Sequence, residues 1–145
     1  MFEELHQRDS EMTPETTYWK SIYHQERFLV AVPKIGKTWP EQRGQFDTEY
    51  ATALYILTAD SGTWNKAEDY VERDGIDFEK MLEEINFSGG YARLIKLAWH
   101  LFNEQGSLLP IELLHLDDAN FRLALEALKI RRYGFSPTKQ EKRTM

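Results

Sequence analysis

Apolar residues recur at helical spacing along most of the chain, and the longest such run covers residues 87–103. Read three or four positions apart, one face of that run collects Tyr91, Leu94, Ile95, Ala98, Leu101 and Phe102. Only a narrow stripe on the other side is polar. Because a helix that is apolar around most of its circumference must be covered by other elements, the pattern predicts that this helix is central to the fold.

The same periodicity predicts further helices, and residues typical of helix ends mark their limits. These helices cover residues 13 to about 27, 47–58, 63–71, 77–85, 110–114 and 117–133. Asp77 and Asp117 are placed to cap the helices that follow them, since a carboxylate there accepts hydrogen bonds from free N–H groups. The final helix is predicted to bury Phe121, Ala124, Leu125 and Leu128. Gly134 and then Pro137 should end it.

One short segment has a different character. Residues 28–32 are all apolar, partly β-branched and followed directly by Pro33, which predicts a strand or extended segment. The prolines and glycines of 33–44 then predict a loop. Since the sequence has neither an internal repeat nor a linker, we predict a single all-α domain over 1–145. In it, 28–32 is a minor extended or β segment, and residues 1–12 and 136–145 are peripheral.

Composition supports a packed domain. The chain has 145 residues, of which 41% are hydrophobic and 13% aromatic, values typical of a globular protein. The sequence has no apolar run near the ~20 residues of a membrane span, and its acidic start does not resemble a signal peptide. With zero Cys it cannot form disulfides, a thiolate nucleophile or a Cys-based zinc site. We therefore expect a cytoplasmic protein without membrane contact.

Charge is unevenly distributed along a chain whose net charge is −6. Residues 60–84 are strongly acidic, whereas residues 129–145 are basic. The basic residues are Lys129, Arg131, Arg132, Lys139, Lys142 and Arg143. An acidic solvated face and a basic helix end explain this simply. The alternative is a weak, salt-sensitive nucleic-acid contact through these six residues, which the overall acidity of the chain disfavours.

A second alternative is an enzyme that binds an anion or nucleotide. Residues 31–38 nearly match a phosphate-binding loop, with Gly36, Lys37 and Thr38 at its end. Ala31 replaces the first glycine of that motif, however, and Pro33 removes one N–H donor. The chain also lacks the strand–helix alternation of a nucleotide-binding sheet, so an ordinary loop is favoured.

The polar stripe of the 87–103 helix is the other candidate for anion binding. It comprises Arg93, Lys96, His100 and Asn103, and the N–H groups of Gly89 and Gly90 at the helix start could assist it. The simpler interpretation is that these side chains pair with neighbouring acids.

Two Glu-x-x-His pairs, Glu3 with His6 and Glu112 with His115, have the spacing of metal-binding helical bundles. Such a site needs two long helices that carry these pairs and two further glutamates. Neither pair lies in a long predicted helix, so we predict no metal site and no cofactor.

Three stretches resemble a family of small uncharacterised helical proteins of bacteria and phages over about residues 45–135. They are Tyr-Ala-Thr-Ala-Leu-Tyr-Ile-Leu-Thr at 50–58, Thr-Trp at 63–64, and the run from Gly90 to Asn103. The resemblance implies a compact helical fold and an origin in a phage or mobile element. It brings with it no activity, cofactor or functional residue.

Aromatic residues give the one positive indication of function. The chain has four Trp and seven Tyr, and these residue types are favoured as anchors of protein interfaces. Tyr18, Trp19, Tyr23 and Trp39 lie in the N-terminal third, outside the strongest helical pattern. We expect a non-catalytic protein–protein interaction or regulatory module. Its partner would be another protein or, as a homodimer, a second copy of the chain.

Overall fold

The computed structural model describes residues 11–39 and 44–137, which fold into a mostly helical domain. Its helices are α1 (Ile22–Lys34), α2 (Thr48–Leu57), α3 (Ser61–Ala67), α4 (Phe78–Glu84), α5 (Gly89–Asn103), α6 (Pro110–Leu113) and α7 (Asp118–Tyr133). Two short antiparallel pairs accompany them, β1 (Thr38–Trp39) with β2 (Gln45–Phe46) and β3 (Val71–Glu72) with β4 (Gly75–Ile76). The predicted all-α class is confirmed. None of the helices formed by the described residues has the length and hydropathy of a membrane span.

The helix at the centre of the fold is α2, whereas the sequence pattern placed α5 there. Every residue of α2 from 50 to 57 is buried, and α1, α5 and α7 all pack against it. Small residues such as Ala51 and Ala53 let neighbouring helices approach from several sides. The buried Thr52 hydroxyl donates a hydrogen bond to the Thr48 carbonyl at 2.8 Å. By contrast, α5 buries one face only. The longest apolar run of the sequence therefore did not identify the most buried helix.

Residues 28–32 are helical, so the predicted extended segment is wrong. They lie within α1, whose N-terminus is capped by Ser21, the side chain of which accepts a hydrogen bond from the His24 N–H at 3.1 Å. The buried residues of α1 follow helical spacing: His24, Phe28, Ala31 and Val32. A short, wholly apolar run fits a strand or a buried helix equally well, and here packing of Phe28 and Val32 against the core selects the helix.

The chain before α1 is not the predicted helix from residue 13. Thr13 closes a turn instead, its carbonyl accepting a hydrogen bond from the Thr16 N–H at 3.1 Å. Met12 then pairs with Phe135 in a parallel bridge, and the Ser136 N–H donates to the Met12 carbonyl at 2.9 Å. Met12 and Ser136 are both buried. Met12 and Ser136 belong to the ranges 1–12 and 136–145 that were expected to be peripheral, but both are part of the packed structure.

Aspartate caps define several helix starts. Asp47, Asp60, Asp77 and Asp117 each accept a hydrogen bond from the backbone N–H three residues later. Because this pattern is local, the predicted caps at positions 77 and 117 are confirmed.

The buried face of α7 differs from the predicted one. Its buried apolar residues are Leu123, Ala124, Ala127 and Ile130. Leu125 is 42% exposed and Leu128 is 39% exposed. The predicted apolar face was therefore rotated towards Leu125 and Leu128. Leucines weigh more than alanines in a hydrophobicity pattern, but the alanines of α7 allow the closer approach to α2.

Candidate functional site

The outer side of α1 exposes large apolar side chains. Ile22 is 59% exposed, Tyr23 65% and Val30 64%, while the opposite side of the helix lies in the core. Four exposed residues spaced four apart form one ridge, and we call Ile22, Glu26, Val30 and Lys34 the α1 ridge. Single exposed apolar residues are common on protein surfaces, but two on one ridge beside an exposed tyrosine make a patch that another protein can cover.

A groove runs beside the α1 ridge, between α1 and α3. Its volume is about 310 Å³, and it is lined by Glu26, Arg27, Val30, Ala31, Lys34, Trp64 and Glu68. The apolar lining comes from Val30, Ala31 and the half-buried ring of Trp64. Charged groups border it, and the Lys34 ammonium lies 3.7 Å from the Glu68 carboxylate. An apolar patch bordered by charges is the usual composition of a protein interface.

The two walls of this α1–α3 groove are fixed to each other. The Arg27 Nε donates to the Thr58 carbonyl at 2.9 Å, and its NH2 group donates to the Ala59 carbonyl at 3.4 Å. These carbonyls lie at the C-terminal end of α2, where a cation is favoured. Asp60 then caps α3 by accepting from the Thr63 N–H at 3.0 Å. The groove is therefore preformed and needs little ordering to accept a partner.

Tyr18 and Trp19, expected as interface anchors, make their contacts inside the molecule. The Trp19 ring packs against His24, Phe28 and Tyr55, with centroids 5.1, 5.5 and 5.7 Å away, and its Nε1 donates to the Pro14 carbonyl at 2.9 Å. Tyr18 and Trp19 thus attach the N-terminal segment 11–20 to the helices.

Tyr18 is held in three ways. Its N–H donates to the Glu126 carboxylate at 2.7 Å, its carbonyl accepts from the Tyr55 hydroxyl, and its ring lies 4.3 Å from the Arg122 guanidinium. Burial raises the pKa of Tyr55 well above its ordinary value, which keeps that hydroxyl protonated as a donor.

Tyr23 and Trp39, the other two expected anchors, are both exposed but lie apart. Tyr23 is in the first turn of α1, and Trp39, which is 38% exposed, is in β1 beyond the end of that helix. The part of α1 between them is roughly 16 Å long, at 1.5 Å per residue. The four expected residues therefore do not form one surface; only Tyr23 adjoins the α1 ridge.

Residues 36–38 do not form a phosphate cradle. The Gly36 N–H donates to the Pro33 carbonyl at 2.9 Å and the Lys37 N–H donates to the Val32 carbonyl at 3.2 Å, so both donors are used to end α1. Thr38 is part of β1. The Lys37 ammonium lies 4.6 Å from the centroid of the Tyr50 ring. Burial raises the pKa of that tyrosine above its ordinary value.

The candidate anion-binding residues of α5 are not brought together with Lys37. The Tyr50 ring beneath Lys37 packs against Phe102 at 5.0 Å, in the last turn of α5. Arg93 lies near the other end of the helix, roughly 13 Å from Phe102 along the axis, and Lys96 lies at the middle of the helix. His100 is exposed, and its Nδ1 lies 3.3 Å from the Gln105 carbonyl.

Basic residues near the C-terminus have partners within the fold. The Lys129 ammonium lies 3.5 Å from Glu126, the Arg131 Nε donates to the Leu101 carbonyl at 2.8 Å, and Arg132 lies over the Tyr133 ring at 5.4 Å. The other members of the set, Lys139, Lys142 and Arg143, lie outside the described residues. Glu126 offsets the charge of Lys129, and the Glu49 carboxylate, 3.9 Å from the Arg131 guanidinium, offsets part of the charge of Arg131, which lowers the positive charge that α7 offers to a nucleic acid.

The glutamate of the pair formed by Glu112 and His115 has a structural role. The Glu112 carboxylate accepts from the Leu109 N–H at 2.9 Å and so caps this short helix. Glu3 and His6 lie outside the described residues. Within 11–39 and 44–137, no group of three or more His, Asp or Glu side chains is arranged to hold a metal ion.

A second apolar patch lies around α6. Leu109 is 64% exposed, Ile111 52% and Leu114 63%. It is comparable with the α1 ridge in exposure and provides matched positions for control variants.

Sequence reasoning missed the α1 ridge because it ended the first helix near residue 27. A recognisable signal was present: Ser21 is a good capping residue, and His24, Phe28 and Val32 follow it at intervals of four. Trp64, which lines the groove, carries no sequence signal that pairs it with Val30.

Comparison with known proteins gives no relative from which a function could be transferred: no family model, curated protein or solved structure matches the chain. The resemblance over residues 45–135 stays a prediction.

Proposed function

We propose that this protein is a non-catalytic protein-docking module, and that a partner binds across the α1 ridge and the α1–α3 groove. The single observation that carries the proposal is the exposure of Ile22, Tyr23 and Val30 by more than half, on one side of a helix beside a preformed groove. Fully burying an aliphatic side chain of this size contributes about 1.5–3 kcal/mol. A partner that covers this patch would gain part of that free energy.

The groove supports α1 as the docking surface over the patch around α6. An incoming apolar side chain can contact Val30, Ala31 and Trp64 at once, and hot spots of binding are found in such pockets. Charges at both ends of the groove, from Glu26 and Arg27 to Lys34 and Glu68, would fix the orientation of the partner. An interaction or regulatory role of phage or mobile-element origin is compatible with this proposal.

The proposal is tested by capture from host lysate with two matched variants. Val30→Glu places a charge in the groove, and Leu114→Glu makes the same change at an equally exposed leucine on the other patch, 63% against 64%. We expect the wild type and Leu114→Glu to capture the same stoichiometric protein and Val30→Glu to lose at least about ten-fold of it, because a carboxylate would have to be desolvated where an apolar side chain packs. Both variants should unfold at the wild-type temperature, since both positions are exposed.

If Val30→Glu captures the partner as well as the wild type does, that captured protein does not bind at the α1 surface. Loss of capture in Leu114→Glu alone would assign docking to the patch around α6 instead.

A further inference from the structure

We infer that the occupant of this surface is a second copy of the chain, whose α1 crosses the first in antiparallel orientation about a two-fold axis at Val30. This inference rests on the proposed docking surface and adds the identity of the partner. It is drawn from the order of charged and apolar residues along the α1 ridge and from the shape of the groove beside it.

Charges along the α1 ridge are arranged symmetrically about Val30. Glu26 lies four residues before it and Lys34 four residues after it, each roughly 6 Å away along the helix axis. With a two-fold axis at Val30, Glu26 of each copy meets Lys34 of the other, so two pairs of opposite charge form at once. A parallel arrangement would instead bring like charges together. The ridge is therefore complementary to itself in one orientation.

Helix-packing geometry favours the same arrangement. Ridges formed by residues four apart pack into the grooves of a facing helix at a crossing angle near −50°, the commonest class in globular proteins. With the axis at Val30, the two Val30 side chains contact each other, and Ala31 and Trp64 of each copy lie beside that contact. Ala31 is small enough to let the two helices approach closely.

Local charge balance permits self-association although the whole chain is acidic. The chain carries a net charge of −6, but the groove has two acidic and two basic side chains, which are Glu26, Glu68, Arg27 and Lys34. Bringing two copies together here adds little repulsion. The Lys34–Glu68 pair is exposed and weak, so Lys34 remains able to contact an incoming Glu26.

The size of the surface sets the expected strength. α1 has 13 residues and is roughly 20 Å long, so the contact is smaller than the ~800 Å² per partner of a standard stable interface. We therefore expect a weak dimer with a dissociation constant in the micromolar range or above, in exchange with the monomer.

Charge exchange tests the inference, with sedimentation velocity of the full chain from about 1 µM to 1 mM as the measurement. Glu26→Lys and Lys34→Glu should each weaken dimerisation about ten-fold or more, because like charges then face each other at both pairs. An equimolar mixture of the two variants should dimerise about as well as the wild type, and so should the double variant. Glu79→Lys, the same charge change at an exposed position on α4, is the control and should leave dimerisation unchanged.

A wild type that stays monomeric at every concentration would overturn the second copy as partner. It would leave the docking proposal intact, provided that lysate capture still depends on Val30. The antiparallel pairing would also be overturned if both single variants dimerised as strongly as the wild type, or if their equimolar mixture failed to restore dimerisation. If the wild type dimerises as described but lysate capture does not depend on Val30, the inference stands and capture of other proteins by this surface fails.

Discussion

His24 shows how one buried side chain organises its neighbours. It is fully buried; its Nδ1 accepts from the Lys20 N–H at 3.0 Å and its Nε2 donates to the Tyr55 carbonyl at 2.8 Å. This pattern requires the neutral ring with its proton on Nε2. Burial lowers the pKa of His24 from 6.5 to about 4, helped by the positive charges of Arg27 and Lys20 and opposed by the hydrogen bond to Tyr55.

The lowered pKa of His24 predicts a stability loss in mild acid. Between pH 6.5 and about 4 the unfolded chain binds a proton at His24 that the folded chain does not. The free energy of unfolding therefore decreases by about 1.4 kcal/mol for each pH unit by which the pH is lowered through that window. Above pH 6.5, His24 does not make stability depend on pH. Urea unfolding of the wild type and of His24→Gln across the window measures this effect.

His24→Gln should be less stable than the wild type at neutral pH, because glutamine cannot fill the same aromatic contacts. The stability difference between the two proteins should narrow as the pH falls, since only the wild type loses the contribution of this histidine. Two parallel stability curves would show that His24 is not the group responsible.

At the scale of elements, the N-terminal segment 11–20 packs against the helices and holds them together. Trp19 inserts among rings from α1 and α2 and also approaches Phe135, 6.2 Å away, beyond the end of α7. This segment thus joins three helices, and its aromatic residues serve stability. By contrast, α1 uses its inner side for the core and leaves its outer side free to bind.

Alanine substitutions should separate these two roles. Trp19→Ala should lower the free energy of unfolding by about 3–5 kcal/mol, because it leaves a cavity between helices. Tyr23→Ala should change it by less than about 0.5 kcal/mol, since this ring is 65% exposed. Chemical denaturation of both variants provides the measurement. Equal losses would mean that Tyr23 belongs to the core, and an unchanged Trp19→Ala would contradict the packing described for segment 11–20.

At the scale of the whole molecule, locally encoded features were predictable. The Asp77 and Asp117 caps and the all-α class follow from neighbouring residues and from periodicity. The central position of α2 was not predictable in this way. It depends on small residues that α5 and α7 approach from distant parts of the sequence.

The candidate site was predictable only in part. Composition indicated an aromatic contact surface in the N-terminal third, but it could not tell the partly buried Trp19, which packs against the core, from the exposed Tyr23. That distinction depends on the tertiary contacts of Trp19, which include Tyr55 and Phe135 from distant parts of the sequence. The α1 ridge became visible only once residues 28–32 were known to be helical, because Val30 and Lys34 then fall in line with Ile22.

The most direct test of α1 as the docking surface is photocross-linking in cells from single positions. A benzophenone side chain at position 23 on α1 is compared with one at position 111 on α6, since Tyr23 and Ile111 are both more than half exposed. We predict a discrete cross-linked species of defined mass from position 23, including one of twice the chain mass, and none from position 111. Equal cross-linking from both positions, or discrete products from position 111 alone, would contradict the assignment of docking to α1.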